Sequence, residues 1–302
     1  MIVVVGEALI DLAVDADGGV RAHAGGGPFN VSRAIARLGG AVSFLGAIST
    51  DRFGRQLLAA LEGDGVTIAS IIETELPTTL ALAELDSDGT ASYRFYSAGT
   101  SAPSVSPAEA RARVPAEVRA LHVGTLGLVL EPLADAVATV ADELAGSSLV
   151  LLDPNCRPAI VADRARFLAR LAAITQCAHV LKVSEPDLEY IAPGAPPIEA
   201  ARALIGPGRI ALLTRGEAGA TIVTPEQVVD VAAPAVDVVD TIGAGDAFGG
   251  GFLAWWVERG LGTSALGDLE TVVEATRFAC RVAAKTCERA GADPPWRTAL
   301  EN

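Results

Sequence analysis

The chain lacks any block of like charges, any Pro-rich or Gly/Ser-rich linker and any long uninterrupted apolar run. Those absences argue against a disordered tail, tethered modules and a membrane-spanning helix. Cations are scarce: 23 Lys and Arg face 37 Asp and Glu, a formal net charge of −14. Nucleic-acid backbones and anionic bilayers are held by clustered Lys and Arg, so neither is an expected partner. The four cysteines, Cys156, Cys177, Cys280 and Cys287, contain no Cys-x-x-Cys pair. Cys280 and Cys287 stand at the spacing of two core positions on one helix, so no disulfide or metal role is expected and a cytoplasmic setting fits. The first residues lack the basic segment of a signal peptide and are broken by Glu7 and Asp11, which makes them a first buried strand. A Gly-x4-Gly-Lys-Ser/Thr phosphate loop is also missing, and so is a dinucleotide fingerprint, because Phe248 stands where the third glycine belongs.

What is present is an apolar chain, 50% hydrophobic over 302 residues, long enough for one large domain or two small ones. Short β-branched runs alternate with helical patterns, which predicts an α/β fold with a doubly wound, mostly parallel sheet flanked by helices. Strands are expected at 2–5, 41–45, 121–123, 149–152, 179–183 and 210–214, followed by a hairpin at 220–223 and 228–231. Helices are expected at 31–38, stopped by Gly39-Gly40, and at 53–61, stopped by Gly63. One stretch departs from this alternation. Leu-Ala-Leu-Ala-Glu-Leu85, the turn Asp86-Ser-Asp-Gly89 and Ser-Tyr-Arg-Phe-Tyr96 read as a β-hairpin. With the segment near 12–24 it predicts a small β lid, inserted from about 12–24 and 77–98 into a single domain spanning 1–302.

An acidic protein that holds polyphosphate must do so with local devices, above all backbone N–H groups at a helix N-terminus. Two glycine clusters fit that requirement. Asp240-Thr-Ile-Gly-Ala-Gly-Asp246 opens a long apolar helix running to about Val257, so the amides of Gly243, Ala244 and Gly245 would form an anion hole. Asp246 beside them is either a helix cap or a base. Gly25-Gly-Gly-Pro-Phe-Asn30 leads into another helix, where Asn30 either caps the backbone or donates to a ligand hydroxyl.

These two motifs, in this order and separation, resemble those of the ribokinase-like (PfkB) sugar kinases. Gly6-Glu-Ala-Leu-Ile-Asp11 looks like that family's first-strand motif, and Thr214-Arg-Gly216-Glu-Ala-Gly219 is similar to its Thr-x-Gly-x-x-Gly nucleotide turn. The resemblance covers essentially the whole chain. It implies an ATP-dependent phosphotransferase with an alcohol acceptor, in which Asp246 is the base and the amides of Gly243, Ala244 and Gly245 stabilise the transferring phosphoryl group. Asp11, Gly26 and Asn30 would hold a sugar, and Thr214, Gly216, Gly219, Gly243 and Gly245 a nucleotide. Mg²⁺ is implied as well, and a monovalent cation near Asp240 as in some members. The family's Asn-x-x-Glu element appears here as Ser184-Glu-Pro-Asp187. Asp187 is the expected Mg²⁺ support, through water, with Glu185 competing, and Ser184 and Lys182 stand near the phosphates.

Asp153-Pro-Asn-Cys-Arg157 and Gly124-Thr-Leu-Gly-Leu-Val-Leu-Glu-Pro132 look like elements of the fructokinase and 2-keto-3-deoxygluconate kinase branches. Fructose is the expected substrate, with the keto acid as alternative, and Arg157 can bind a phosphate or a carboxylate, or sit in an ion pair. On the lid strand, alternation sets Tyr93 and Phe95 against Arg94. An acidic substrate calls for Arg94 inward and a neutral one for Phe95 inward. An apolar lid edge could also pair with a second copy as a homodimer. Two other classes compete: a non-catalytic sugar- or nucleotide-binding regulator, which the altered 184–187 element would suit, and a nicotinamide oxidoreductase, which the missing fingerprint disfavours.

Overall fold

A computed structural model describes residues 1–14, 18–85 and 91–301, so the turn expected at 86–89 lies outside the described residues. The described strands are β1 (Ile2–Val5), β2 (Leu9–Val14), β3 (Val20–Gly25), β4 (Val42–Leu45), β5 (Ala47–Ser49), β6 (Ile72–Thr74) and β7 (Leu80–Leu85). They continue with β8 (Ala91–Tyr96), β9 (Ala120–Gly124), β10 (Leu149–Asp153), β11 (Val180–Ser184), β12 (Ile210–Thr214), β13 (Ala220–Val223) and β14 (Val228–Val231). The helices are α1 (Gly27–Arg37), α2 (Arg52–Asp64), α3 (Pro107–Arg113), α4 (Leu133–Leu144), α5 (Arg164–Thr175), α6 (Glu185–Ile191), α7 (Pro197–Leu204), α8 (Ala244–Glu258) and α9 (Leu269–Cys287).

Eight strands form the main sheet, in the order β14-β13-β12-β11-β10-β9-β1-β4. Neighbours run parallel except β12 with β13 and β13 with β14. Strand alternation sends Ile2 and Val4 into a core with α1, α2, α8 and α9, and Val3 and Val5 into a second core with α3 to α7. Burial on both faces explains why these strands read as continuous apolar runs. A separate four-stranded sheet has the order β3-β2-β7-β8, with β7 and β8 antiparallel and β2 parallel to β7. It draws on both stretches expected to leave the main body.

Two helix boundaries differ from expectation for local reasons. Helix α1 starts at Gly27, four residues earlier than expected, because Pro28 fits a first helical turn, where its missing N–H costs nothing. Helix α2 runs through Gly63 to Asp64 and is capped by Gly65, whose φ of 87° suits the left-handed cap. Helix α8 is buried almost all round, wedged between α1 and α9. Gly250 and Gly251 permit this: a Cβ at Gly250 would lie 2.9 Å from Ala34 Cβ, and one at Gly251 3.0 Å from Val282.

Candidate active site

The polar residues gather at the carboxyl ends of the parallel strands. Glu7 follows β1, Gly124 ends β9, Asp153 ends β10, Ser184 ends β11 and Thr214 ends β12. The N-termini of α1 and α8 bring Asn30 and Asp246 together over this edge. Open α/β sheets bind ligands at this edge, because there the strands hand over to loops and helix N-termini carry unpaired N–H groups.

Gly243 adopts φ 76° and turns the chain into α8, placing Asp246 in its first helical turn. Asn30 Nδ2 donates to Asp246 Oδ2 at 2.9 Å, leaving Oδ1 without a partner among the described residues. Asn30 is therefore not a cap of α1, and Asp246 caps nothing through its side chain. The expected anion hole is altered in one respect. The Ala244 N–H donates to the Thr241 carbonyl at 3.2 Å, while the amides of Gly243 and Gly245 have no such partner among the described residues. Burial pushes the Asp246 carboxyl up to about 7; the Asn30 hydrogen bond opposes this, Asp153 adds to it, and Lys182 and Arg157 oppose it.

Glu7 enters the sequence reading as a break in an apolar run and inside the first-strand motif, with no role of its own. It is wholly buried and accepts from Thr125 Oγ1 at 2.5 Å, Gly127 N–H at 3.1 Å and Gly27 N–H at 3.3 Å, tying the starts of α1 and of the segment after β9 together. Burial raises its carboxyl to about 7 against those hydrogen bonds. Gly26, at φ 107°, passes so close to β1's exit that a Cβ would lie 2.7 Å from the Glu7 carbonyl. Asp11, on β2 opposite His23, lies against Gly25, and burial lifts it to about 6 despite His23 and Arg157. Among the described residues Arg157 donates to the backbone carbonyls of Asn155 and Cys156, while its charge is felt at Asp11, Asp153 and Asp246. No carboxylate ion pair holds it among the described residues. On β8, Phe95 packs against the apolar group of Leu9, Ala81, Leu126 and Leu130, whereas Arg94 is exposed.

The chain has two lysines, and one of them, Lys182, is 4% exposed on β11. Its Nζ donates to Asp153 Oδ2 at 2.7 Å and lies 3.3 Å from where a Cβ on Gly245 would stand. Asp187 is occupied differently from expectation. Its carboxylate accepts from Ser184 N–H at 2.9 Å, Ser184 Oγ at 2.6 Å and Cys156 N–H at 2.7 Å, closing a capping box on α6. Glu185, the competing carboxylate, is exposed and pairs with Arg215 at 3.3 Å. Thr214 Oγ1 donates to the Val183 carbonyl, and Gly216 and Gly219 turn β12 back into β13. Asp240 accepts from Ile242 and Gly291 amides, fastening the glycine turn to the segment after α9. Val238, Val239 and Ile242 stand exposed beside that turn.

The profile of pfkB family carbohydrate kinases matches residues 1–299. The chain belongs to that family. It is accordingly a sugar kinase, a phosphotransferase with an alcohol acceptor. Among relatives, a fructokinase of Rhizobium leguminosarum bv. trifolii is 33% identical over 259 residues, which is 84% of this chain and 79% of that protein. Fructokinase-2 of Solanum habrochaites is 33% identical over 315 aligned positions, covering 100% of this chain and 94% of the relative. Among solved structures, fructokinase with bound ATP from Xylella fastidiosa superposes with a TM-score of 0.87 at 28% identity, covering 99% of this chain and 97% of that one. Aminoimidazole riboside kinase from Salmonella enterica, complexed with its riboside and an ATP analogue, gives 0.86 at 25% identity over 99% and 97%. The resemblance to PfkB kinases and the expected fold class hold. No helix among the described residues is long and apolar enough to cross a membrane.

Proposed function

We propose that this kinase transfers the γ-phosphoryl group of ATP to fructose, with Asp246 as base. The observation that carries the reading is the Asp246 carboxylate, buried in the first turn of α8, with one oxygen held by Asn30 and, among the described residues, no partner for the other or for the adjacent Gly243 and Gly245 amides. Burial brings the carboxyl near neutral pH, where a general base works best. As the sugar oxygen attacks phosphorus, its proton passes to Asp246 Oδ1. The bond from the γ-phosphorus to the bridging oxygen breaks, and its electron pair leaves with ADP. The Gly243 and Gly245 amides stabilise negative charge on the phosphoryl oxygens, and positioning supplies most of the rate.

Asp11, Gly26 and Asn30 form the sugar side of the site, and the Gly216–Gly219 turn with Val238, Val239 and Ile242 offers an apolar face for the adenine ring. When bound, Mg²⁺ would offset the charge of the phosphates. Asp187, held in the α6 capping box, and Glu185, paired with Arg215, are the carboxylates that would support it through water. Phe95 on the inner face and Arg94 outside favour a neutral sugar over a keto acid. A monovalent cation beside Asp240, a cytoplasmic setting and a homodimer through the outer strand β8, where Tyr96 is exposed, complete the reading. Purified protein with Mg-ATP and a panel of fructose, glucose, ribose, an aminoimidazole riboside and 2-keto-3-deoxygluconate tests it. Fructose is expected to give the highest kcat/KM, and a clear preference for the keto acid or a nucleoside would overturn the substrate.

A further inference from the structure

Behind the glycine turn lies a group of buried charges that the phosphoryl-transfer scheme does not yet use. Lys182 and Asp153 are 4% and 1% exposed, and their 2.7 Å contact joins β11 to β10 directly under the start of α8. A Cβ on Gly245 would come within 3.3 Å of the ammonium. Lys182 has three N–H donors and one protein acceptor among the described residues, and Asp153 Oδ1 is buried without a partner. Gly249, one turn further along α8, lies over both the Lys182 side chain and the ring of His122 on β9. A buried pair of this kind is weak evidence for stability, since well-packed apolar residues of similar volume often serve as well.

We infer that Lys182 and Asp153 are a positioning pair for phosphoryl transfer, Asp153 pinning the ammonium beside Gly245 so that one buried cation faces both Asp246 and the transferring group. The inference rests on the proposed role of Asp246. The charged and titratable groups that face Asp246 are Glu7 from the exit of β1, Asp153 from β10, Arg157 from the loop after it and Lys182 from β11, with the neutral amide of Asn30 from α1. His122 faces Lys182 from β9; burial, with Lys182 beside it, lowers it to about 3, so it stays neutral and adds no charge. Burial disfavours the Lys182 ammonium, but Asp153, Asp187 and Asp246 more than offset this, so it stays charged. Without Asp153 the ammonium acts more strongly on Asp246, and without both partners the site loses its buried positive charge and keeps only that of the exposed Arg157.

The pair is tested first in the free protein, by carbon-13 NMR of labelled aspartate carboxyls, with the Asp246 signal identified by its loss in Asp246→Asn. Asp153→Asn is expected to move the Asp246 midpoint down by about one pH unit, and Lys182→Met with Asp153→Asn to return it close to the wild-type value. An Asp246 midpoint that ignores Asp153→Asn would overturn the inference. Single changes that strand a buried charge can unfold the protein, so the double variant, which strands none, carries the kinetic arm. It is expected to lose about 100-fold in kcat with sugar KM within about twofold, the pattern of a lost transition-state contact. A double variant with unchanged kcat would also overturn the inference. A wild type inactive on fructose overturns the substrate reading instead, while the NMR arm still decides the pair.

Discussion

Replacing Asp246 with asparagine should make this protein more stable and catalytically dead at the same pH, and the size of both effects follows from the site. Burial lifts the Asp246 carboxyl from its ordinary 3.8 to about 7. Between those values the folded chain holds a proton that the unfolded chain has released. The stabilisation from that proton is fully present below about pH 4 and is lost as pH rises through 7. At pH 8 the ionised, buried carboxylate therefore costs folding on the order of 2–4 kcal/mol, the upper figure being the whole difference and the lower allowing for sharing with Glu7 and Asp153. The substituted amide carries no charge and still offers Asn30 Nδ2 a carbonyl acceptor at the 2.9 Å position. Differential scanning calorimetry should show Asp246→Asn melting about 3–6 °C above wild type at pH 8, with the gap closing toward pH 4. Steady-state assays of the same protein should show kcat reduced about 10³-fold, and wild-type kcat/KM should rise with pH through 7 as the base ionises. A variant that melts below wild type at pH 8, or keeps more than about a tenth of wild-type kcat, would refute the reasoning.

Two other outcomes follow from the same geometry. Phe95→Ala removes the aromatic surface turned toward Leu9 and Leu126 and should raise sugar KM about tenfold, while Arg94→Ala on the outer face should leave it within about twofold; initial-rate assays with varied sugar decide, and the reverse ranking would favour an acidic substrate. Gly26→Ala forces a side chain onto φ 107° and within 2.7 Å of the Glu7 carbonyl, and should cost about 1–3 kcal/mol in urea unfolding, with sugar KM rising as Asn30 is displaced.

What the sequence determined by itself is what short-range chemistry controls. Apolar runs such as Ile2–Val5 and Ile210–Thr214 are strands because both faces are buried, and the glycine turn before Ala244 opens a helix because Gly243 takes φ 76° without a Cβ to clash. Glycine spacing of that kind is local, so the motifs and the family were readable, although Gly63 reads as the stop that the fold places at Gly65. The site's chemistry is of another kind. Asn30 and Asp246 are 216 residues apart, and only the packing of α1 against α8 turns an apparent cap into a hydrogen-bond donor for a carboxylate. The capping role of Asp187, the burial of Glu7, the Lys182–Asp153 contact and the inward face of Phe95 were decided in the same way. Each depends on desolvation and on partners from distant strands, and a carboxylate's proton affinity is set by that surrounding medium rather than by its neighbours along the chain.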